Sequence, residues 1–366
     1  MDTVGIGIIG CGNISGAYLT AARGFPILDV RGVADIDAAA AEARGREFDL
    51  PAVPVDDLLA DPSVDIIVNL TIPLAHVEVG LAAIAAGKHV HSEKPLAVTT
   101  ADARPLLEAA AERDLRVGCA PDTFLGGAHQ TCRKLIDDGA IGTPIAGTAF
   151  FMCPGHERWH PSPAFYYLRG GGPMLDMGPY YITDLVNLLG PVARVAGMRS
   201  RLRSERLITS EPLNGTQIPV EVPTHVTGTL EFVSGAIVTI AMSFDVAKHG
   251  HRPIELYGSD GAMAVPDPNH FGGDIEIAMT GDEDWRIVPT EHGYADGNYR
   301  IIGVADMAYA IRTGRPHRAS GDLAFHVLEV MEAFEASSES GAHVVIESRP
   351  ERPAPLPIEL VDGALD

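Results

Sequence analysis

From Val4 to Ala120 the chain alternates short apolar runs with longer helical patterns, and nothing else in it limits the fold so tightly. "VGIGII" leads into "ISGAYLTAARG", "ILDVRGVAD" into "IDAAAAEARGREF", "VDIIVNLTI" into "LAHVEVGLAAIAAG" and "HVHSEKP" into "ADARPLLEAAAERD", with "LRVGCA" closing the series. Such alternation builds βαβ units, a parallel sheet with helices on both faces. At 366 residues the chain is long enough for a second domain. From about residue 145 the pattern changes to "IAGTAFFMC", "THVTGTLEFV", "AIVTIAMSF", "RPIELYGSDGAMAV" and "DIEIAMT", with turn signals at Ser234-Gly235 and Asp260-Gly261. This predicts a large, mostly antiparallel open sheet. Two helical runs follow, "VADMAYAIRTG" and "ASGDLAFHVLEVMEAFEASSESG", and from about residue 348 a Pro-rich tail reads as an extended strap.

The first strand runs into "GIGIIGCGNISG", which holds two overlapping glycine patterns. Gly5, Gly7 and Gly10 satisfy G-x-G-x-x-G strictly; Gly10 and Gly12, with Ser15 in the third place, satisfy it loosely. A phosphate loop has to follow a strand and open a helix, whose free N–H groups and positive dipole end meet the anion. Only the looser pattern does so. It leaves Val4–Ile9 as a full strand and Ile14–Arg23 as a helix capped by Gly24. Gly10, Gly12, Asn13 and Ile14 are then the loop, and Gly5 and Gly7 are strand positions where something packs closely. Asp35 ends the second strand, close to the spacing of about 20 residues at which a carboxylate accepts from the adenosine ribose 2′-hydroxyl. Ile36-Asp37 follows it, with no Arg or Ser to welcome a 2′-phosphate, so NAD is expected over NADP. Residues 1–121 are thereby expected to form a Rossmann dinucleotide-binding domain, and residues 122–366 an α+β domain for substrate binding and oligomerisation.

Net charge is −22, which opposes nucleic acid and anionic lipid as partners. No apolar run reaches the roughly 18 residues of a membrane span, and the start of the chain lacks a basic, apolar leader. Four scattered cysteines (Cys11, Cys119, Cys132, Cys153) form neither a disulfide framework nor a metal motif. A reducing cytoplasm is expected, with no catalytic metal.

"GKHVHSEKPLAV" places Glu93-Lys94-Pro95 at the C-terminal end of the fourth strand, where open α/β sheets bind ligands. Here the chain resembles the glucose–fructose oxidoreductase and inositol dehydrogenase (Gfo/Idh/MocA) family of sugar and polyol dehydrogenases. The resemblance covers nearly the whole chain, through "GCGNIS", "NLTIPLAH", "AAGKHVHSEKPL", "LIDDGAIGTP" and "GGGPMLDMGPYYITDLVNLLGP". It implies that Lys94 is catalytic, near the nicotinamide and the reacting hydroxyl. It also implies that Glu93 and Lys94, with Thr71, Pro73 and His76 after the third strand, line the cofactor. His76 alternatively reads as a surface histidine at a helix N-terminus. Many members follow the glycine run with D-x-x-x-H; here Asp176 and Tyr180 hold those places, as in the tyrosine branches that use the phenol as acid/base. Spacing i, i+4 puts the pair on one helix face. Asp176 also reads as an N-cap with Pro179 tolerated in the first turn, and Tyr180 as core packing. A phenol of pKa about 10 is a poor base at neutral pH, and a neighbouring Lys94 ammonium is expected to lower that value.

Two departures bear on the substrate. Asp122-Thr123 stands where many members carry Asn-Arg, and Trp159-His160 where some carry Trp-Arg. Without those arginines a neutral carbohydrate is expected, stacked on Trp159 and hydrogen-bonded by Asp122, His156 and His160; an ordinary surface loop is the alternative. Three functions remain open: an NAD-dependent dehydrogenase of a sugar, polyol or glycoside, a glycoside hydrolase with transient oxidation by bound NAD, and a sugar-sensing regulator. Intact Lys94, Asp176 and Tyr180 count against the regulator. A homodimer or homotetramer paired through the C-terminal sheet is expected, because an antiparallel sheet covered on one face leaves the other in need of a partner.

Overall fold

The computed structural model describes residues 2–366. The first half winds β1 (Val4–Ile9), α1 (Ser15–Ala22), β2 (Leu28–Ala34), α2 (Ala38–Phe48), α3 (Val55–Ala60), β3 (Ile66–Asn69), α4 (His76–Ala85), β4 (His89–Ser92), α5 (Thr100–Ala111) and β5 (Val117–Cys119). The five strands form one parallel sheet in the order β2-β1-β3-β4-β5. Every residue of β1 is buried, as a strand covered by helices on both faces must be. This crowding explains the misleading glycines. A Cβ on Gly5 would stand 1.8 Å from the Ser63 carbonyl oxygen, and one on Gly7 2.9 Å from the Leu58 side chain. Connections leave β1 toward β2 on one side and β3 on the other, so the switch point lies between β1 and β3, where such sheets open a ligand crevice.

α6 (Gly127–Asp137) leads to the second sheet: β6 (Pro144–Met152), α7 (Pro173–Leu189), β7 (Val192–Ser200), a small hairpin β8 (Glu205–Leu207) with β9 (Gln217–Pro219), β10 (His225–Phe232), β11 (Ile237–Ser243), β12 (Ile254–Gly258), β13 (Gly261–Val265), β14 (Ile275–Met279) and β15 (Arg286–Val288). α8 (Ile302–Thr313), α9 (Gly321–Ser340) and β16 (Val344–Val345) complete the chain. Nine strands order as β15-β14-β13-β12-β6-β11-β10-β7-β16, antiparallel except for the parallel β6–β11 pair. α9 seats on this sheet through Phe334, whose ring lies over the directly paired Gly197 and Gly228; a Cβ on either would stand under 3 Å from it. The same register turns Ala196, Met198, Thr227, Thr229, Ile237, Thr239 and Thr148 to the opposite face.

Several local expectations change. α1 begins at Ser15, not Ile14, and Gly24 is not its left-handed cap, because the helix ends in a right-handed turn at Arg23 with φ −62°. α7 begins at Pro173, so Asp176 lies inside the helix and not at its N-cap, and Pro179 lies well beyond the first turn, depriving the Leu175 carbonyl of its helical donor. β7, the β8–β9 hairpin, β15 and β16 were not legible as strands. The tail is a strap tied down at many points: Arg133 donates to the Pro353 carbonyl, Arg318 to those of Ala354 and Pro355, Tyr294 to that of Ala364, and Leu365 is fully buried. No helix of the described residues is long and apolar enough to cross a membrane, and no group of His, Cys, Asp and Glu among them is arranged to hold a metal ion.

Candidate active site

A cleft of about 480 Å³ opens at the switch point, lined by Gly12, Asn13, Ile14, Thr71, Pro73, Glu93, Lys94, Asp176, Tyr180 and, from the far end of the chain, Arg300. Its floor is the β1–α1 loop. Gly10 has φ +105°, and a Cβ there would stand 2.6 Å from the Leu70 carbonyl, so glycine is required for both conformation and space. A Cβ on Gly12 would meet nothing within 4 Å: it faces open cleft. Among the described residues the N–H groups of Gly12, Asn13 and Ile14 donate to no acceptor in the chain, whereas that of Gly10 is spent on Ala34. Ser15, fully buried, donates its hydroxyl to the Gly12 carbonyl at 2.7 Å and fixes the turn. Three free donors at a helix N-terminus, over a glycine whose missing side chain leaves room, fit a dinucleotide pyrophosphate.

Asp35 holds the end of β2 against this loop, accepting the Cys11 N–H at 2.7 Å and the Asp37 N–H at 2.9 Å. One lone pair on each carboxylate oxygen remains for a ribose hydroxyl. Arg44 of α2 was missed by the sequence reading: its guanidinium donates to the Gly12 carbonyl at 3.0 Å and pairs with Glu47 at 2.5 Å. It arrives from the next helix, so no local motif marks it.

The cleft wall rests on buried polar supports. Asn69 accepts the N–H and hydroxyl of Thr71 and donates to the His76 carbonyl at 3.0 Å. His76, expected either at the surface or lining the cofactor, is neither exposed nor part of the cleft lining. It is fully buried, its Nδ1 2.7 Å from the Pro95 carbonyl and its Nε2 3.0 Å from that of Thr71, so it braces the loops after β3 and β4 together. Glu93 accepts the Tyr18 hydroxyl at 2.7 Å and the Lys94 N–H at 2.9 Å, which locks the backbone that presents Lys94.

Lys94 Nζ donates to the Asp176 backbone carbonyl and to its carboxylate, each at 2.8 Å, leaving its third proton for another acceptor. The other Asp176 oxygen lies 3.1 Å from His156 Nε2, and the Trp159 indole N–H donates to His156 Nδ1 at 3.1 Å. Since Nδ1 accepts, Nε2 carries the proton and donates to Asp176. Burial pushes the Asp176 carboxyl up, but the Lys94 ammonium and the His156 bond outweigh it and bring it down to about 2. Burial likewise opposes charge on Lys94, yet Asp176, Tyr180 and Glu93 raise its pKa above the ordinary value.

Tyr180 lies one turn beyond Asp176 on α7, with its hydroxyl accepting from Arg300 Nη1 at 3.2 Å. The Lys94 ammonium stands 5.2 Å from its ring centroid and the Arg300 guanidinium 5.7 Å. Contrary to the expectation from Lys94 alone, the pKa of Tyr180 is raised: burial dominates, and Lys94 and Arg300 only partly offset it. Arg300 is the second residue the sequence reading missed. Ile301, next to it, has φ +111°, a conformation that costs a β-branched residue about 1–3 kcal/mol.

Asp122, expected to hydrogen-bond the substrate, instead supports that turn and does not line the cleft. It is 1% exposed and one oxygen accepts the N–H groups of both Ile301, at 3.1 Å, and Gly303, at 3.0 Å. Trp159 is also corrected: it is 61% exposed, outside the cleft lining, with its indole on His156. His160 does line the cleft, beside Phe165 and Tyr166.

Residues 4–120 match the model of an oxidoreductase family with an NAD-binding Rossmann fold, and residues 129–264 that of the GFO/IDH/MocA C-terminal domain. Levoglucosan dehydrogenase from Pseudarthrobacter phenanthrenivorans is 24% identical over 335 residues, 82% of this chain and 84% of that protein. 1,5-Anhydro-D-fructose reductase from Ensifer adhaerens is 30% identical over 214 residues, a match spanning 57% of this chain and only 59% of that protein. The fold superposes on a levoglucosan dehydrogenase complex with NADH and L-sorbose at TM-score 0.82 and 21% identity, covering 95% of this chain and all of the other. The two family models together span the whole parallel sheet, strands β6 to β12 of the second sheet, and the cleft residues Lys94, Asp176 and Tyr180, and the chain belongs to the GFO/IDH/MocA family of NAD-binding oxidoreductases.

Proposed function

We propose that the chain transfers hydride between NAD and a hydroxyl-bearing carbon of a neutral sugar, polyol or glycoside. The observation that carries this reading is the Lys94–Asp176–Tyr180 cluster in the cleft that begins at the free N–H groups of Gly12–Ile14. A nicotinamide bound there supplies the acceptor for the substrate carbon's hydride and its two electrons, leaving one proton for the protein to take. The third proton of Lys94 holds the reacting oxygen, and Asp176 keeps the ammonium charged and aimed. Tyr180 receives the hydroxyl proton in oxidation and returns it in reduction, the arrangement of the tyrosine branch of the family. Glu93 and Asn69 position the loops; His160, Phe165 and Tyr166 face the substrate side.

Asp35 favours NAD, because its carboxylate accepts from a free 2′-hydroxyl and repels a 2′-phosphate. The cytoplasm is the compartment that suits four free cysteines, three of them buried. The helix-free face of the C-terminal sheet is the surface on which copies pair. The reading is tested with a panel of sugars, inositols and glycosides, each with NAD and with NADP, followed at the nicotinamide absorbance. Net NADH formation with at least one neutral carbohydrate is expected. Glycoside cleavage without net NADH would overturn it in favour of a hydrolase, and no turnover across the panel would overturn the substrate class.

A further inference from the structure

Arg300 is set into the cleft by a device that no catalytic motif announces. It is largely buried on the turn before α8, its Nη1 donating to the Tyr180 oxygen at 3.2 Å and its Nη2 to Asn269 Oδ1 at 3.0 Å. The turn is held open by Ile301 in a left-handed conformation that an isoleucine does not adopt unaided. What over-determines it is the buried Asp122 carboxylate, which takes the N–H groups on both sides of the turn through one oxygen while its other oxygen finds no partner. A buried carboxylate with half its capacity unmet, spent on a strained turn, is costly in the free protein. Besides satisfying the first-turn N–H of Gly303 in α8, it sets the aim of Arg300.

The charged groups facing Tyr180 come from three elements: Lys94 and Glu93 from the loop after β4, Asp176 from its own helix, and Arg300 from this turn. Of the two cations, Lys94 meets the face of the ring and gives two of its three protons to Asp176; within the chain only Arg300 donates to the phenol oxygen. We propose that Arg300 is a further catalytic residue of the cleft, holding the Tyr180 oxygen and stabilising negative charge on it, with Asp122 as the positioning residue that sets its aim. In oxidation Tyr180 first loses its own proton to solvent; the substrate O–H bond then breaks and its proton joins the Tyr180 oxygen as the C–H hydride passes to the nicotinamide with both electrons. Arg300 offsets part of the cost that burial puts on the anionic oxygen and gives up no proton. The inference rests on the reading of Tyr180 as the acid/base.

The test needs no substrate. The full chain is prepared with ring-labelled tyrosine, and the Tyr180 resonance is identified by its loss in Tyr180→Phe. Its titration is then followed by NMR over the pH range in which circular dichroism stays constant. Arg300→Gln is expected to move the Tyr180 titration upward by about one pH unit or more, the scale of a lost charge contact in a buried site, and Arg300→Lys to move it less. Asp122→Ala should shift it in the same direction, and Asp122→Asn, which keeps an acceptor for both N–H groups, should lie near wild type. Should Arg300→Gln fail to fold, Asn269→Ala releases the guanidinium without removing it and should give a smaller upward shift. Coincident titrations in wild type and Arg300→Gln, or in wild type and Asn269→Ala, would overturn the proposal, as would a wild-type Tyr180 that never titrates before unfolding. Wild-type turnover in Tyr180→Phe would instead remove the acid/base reading while leaving the titration result intact, so the two failures are distinct.

Discussion

The Lys94 ammonium lies over the ring of Tyr180, 5.2 Å from its centroid, and sends both of its intramolecular hydrogen bonds to Asp176 instead of the phenol oxygen. The two residues are therefore coupled through charge and ring quadrupole and not through a shared proton. A substrate hydroxyl is the natural bridge between them, reached by the lysine's third proton on one side and the phenol oxygen on the other.

Lys94→Ala is accordingly expected to lower kcat by about 10²–10⁴, the usual size of an acid–base contribution, with NAD affinity retained. Tyr180→Phe should cost a similar factor, and the double variant should be little worse than either single one, since groups that act as a unit are non-additive. Tyr180→His, the commoner residue at this place in the family, should keep more activity than Tyr180→Phe. Steady-state kinetics on a substrate from the panel decide the matter: multiplicative losses in the double variant would show two independent roles.

Cofactor choice should follow from Asp35. Its two oxygens already accept from Cys11 and Asp37, so the carboxylate is fixed in place and cannot swing away from a 2′-phosphate. NAD is expected to be used at least about tenfold more efficiently than NADP, corresponding to about 1.4 kcal/mol. Asp35→Ala should narrow the gap, because it removes the carboxylate nearest the 2′-phosphate while Arg44 stays beside the loop on the Gly12 carbonyl as a cation. Equal kcat/KM for NAD and NADP in the unaltered chain would refute this.

What was legible in the sequence was local. The Gly10 loop, the E-K-P segment and the Asp176/Tyr180 pair each declare themselves within a dozen residues, through strand–helix order or helical spacing. Arg300 did not, because it sits in "ADGNYRI", a loop with no periodicity, and meets Tyr180 across a sequence separation of 120. Asp122 was misread for the same reason: a polar residue after a strand resembles a ligand contact until the turn 179 residues away is seen to need it. β7 escaped because "VARVAGMRS" mixes glycine, alanine and arginine, and its alternation appears only once Phe334 is placed over Gly197.

Acid should weaken the fold through Asp176 in a defined window. Its carboxyl lies near 3.8 when unfolded and is depressed to about 2 in the folded chain by Lys94 and His156. A depressed carboxylate stabilises fully above its unfolded pKa and loses that contribution as pH falls through the folded one. The stability gap between wild type and Asp176→Asn should thus be largest above about pH 4 and shrink by on the order of 2 kcal/mol by about pH 2. Part of the gap at neutral pH comes from the Lys94 ammonium left buried without its partner. Denaturant unfolding at a series of pH values measures this directly, and a gap that stays constant through the window would rule it out.

The last prediction concerns the open face of the nine-stranded sheet. Strand register places Thr148, Thr239, Thr229 and Thr227 in adjoining rows there, with Ala196, Met198 and Ile237 around them, while α9 and Phe334 occupy the other face. Met198 is 74% exposed and Ile237 51%. The charges on this face lie beside the threonine rows, in the Arg194–Glu231 pair next to Ile237 and in Glu255 opposite Thr148, and a second copy of the same surface is the simplest cover for the uncharged rows between them. Light scattering at micromolar concentration should report a dimer or tetramer. Thr229→Arg together with Thr239→Arg places cations in paired positions at the centre of that face, where they repel one another and their copies across the interface. The variant should dissociate to monomers while keeping its circular dichroism spectrum, because these side chains face away from the core. A wild-type monomer would sink the idea outright, and an arginine variant that keeps the wild-type mass would move the interface elsewhere on the chain.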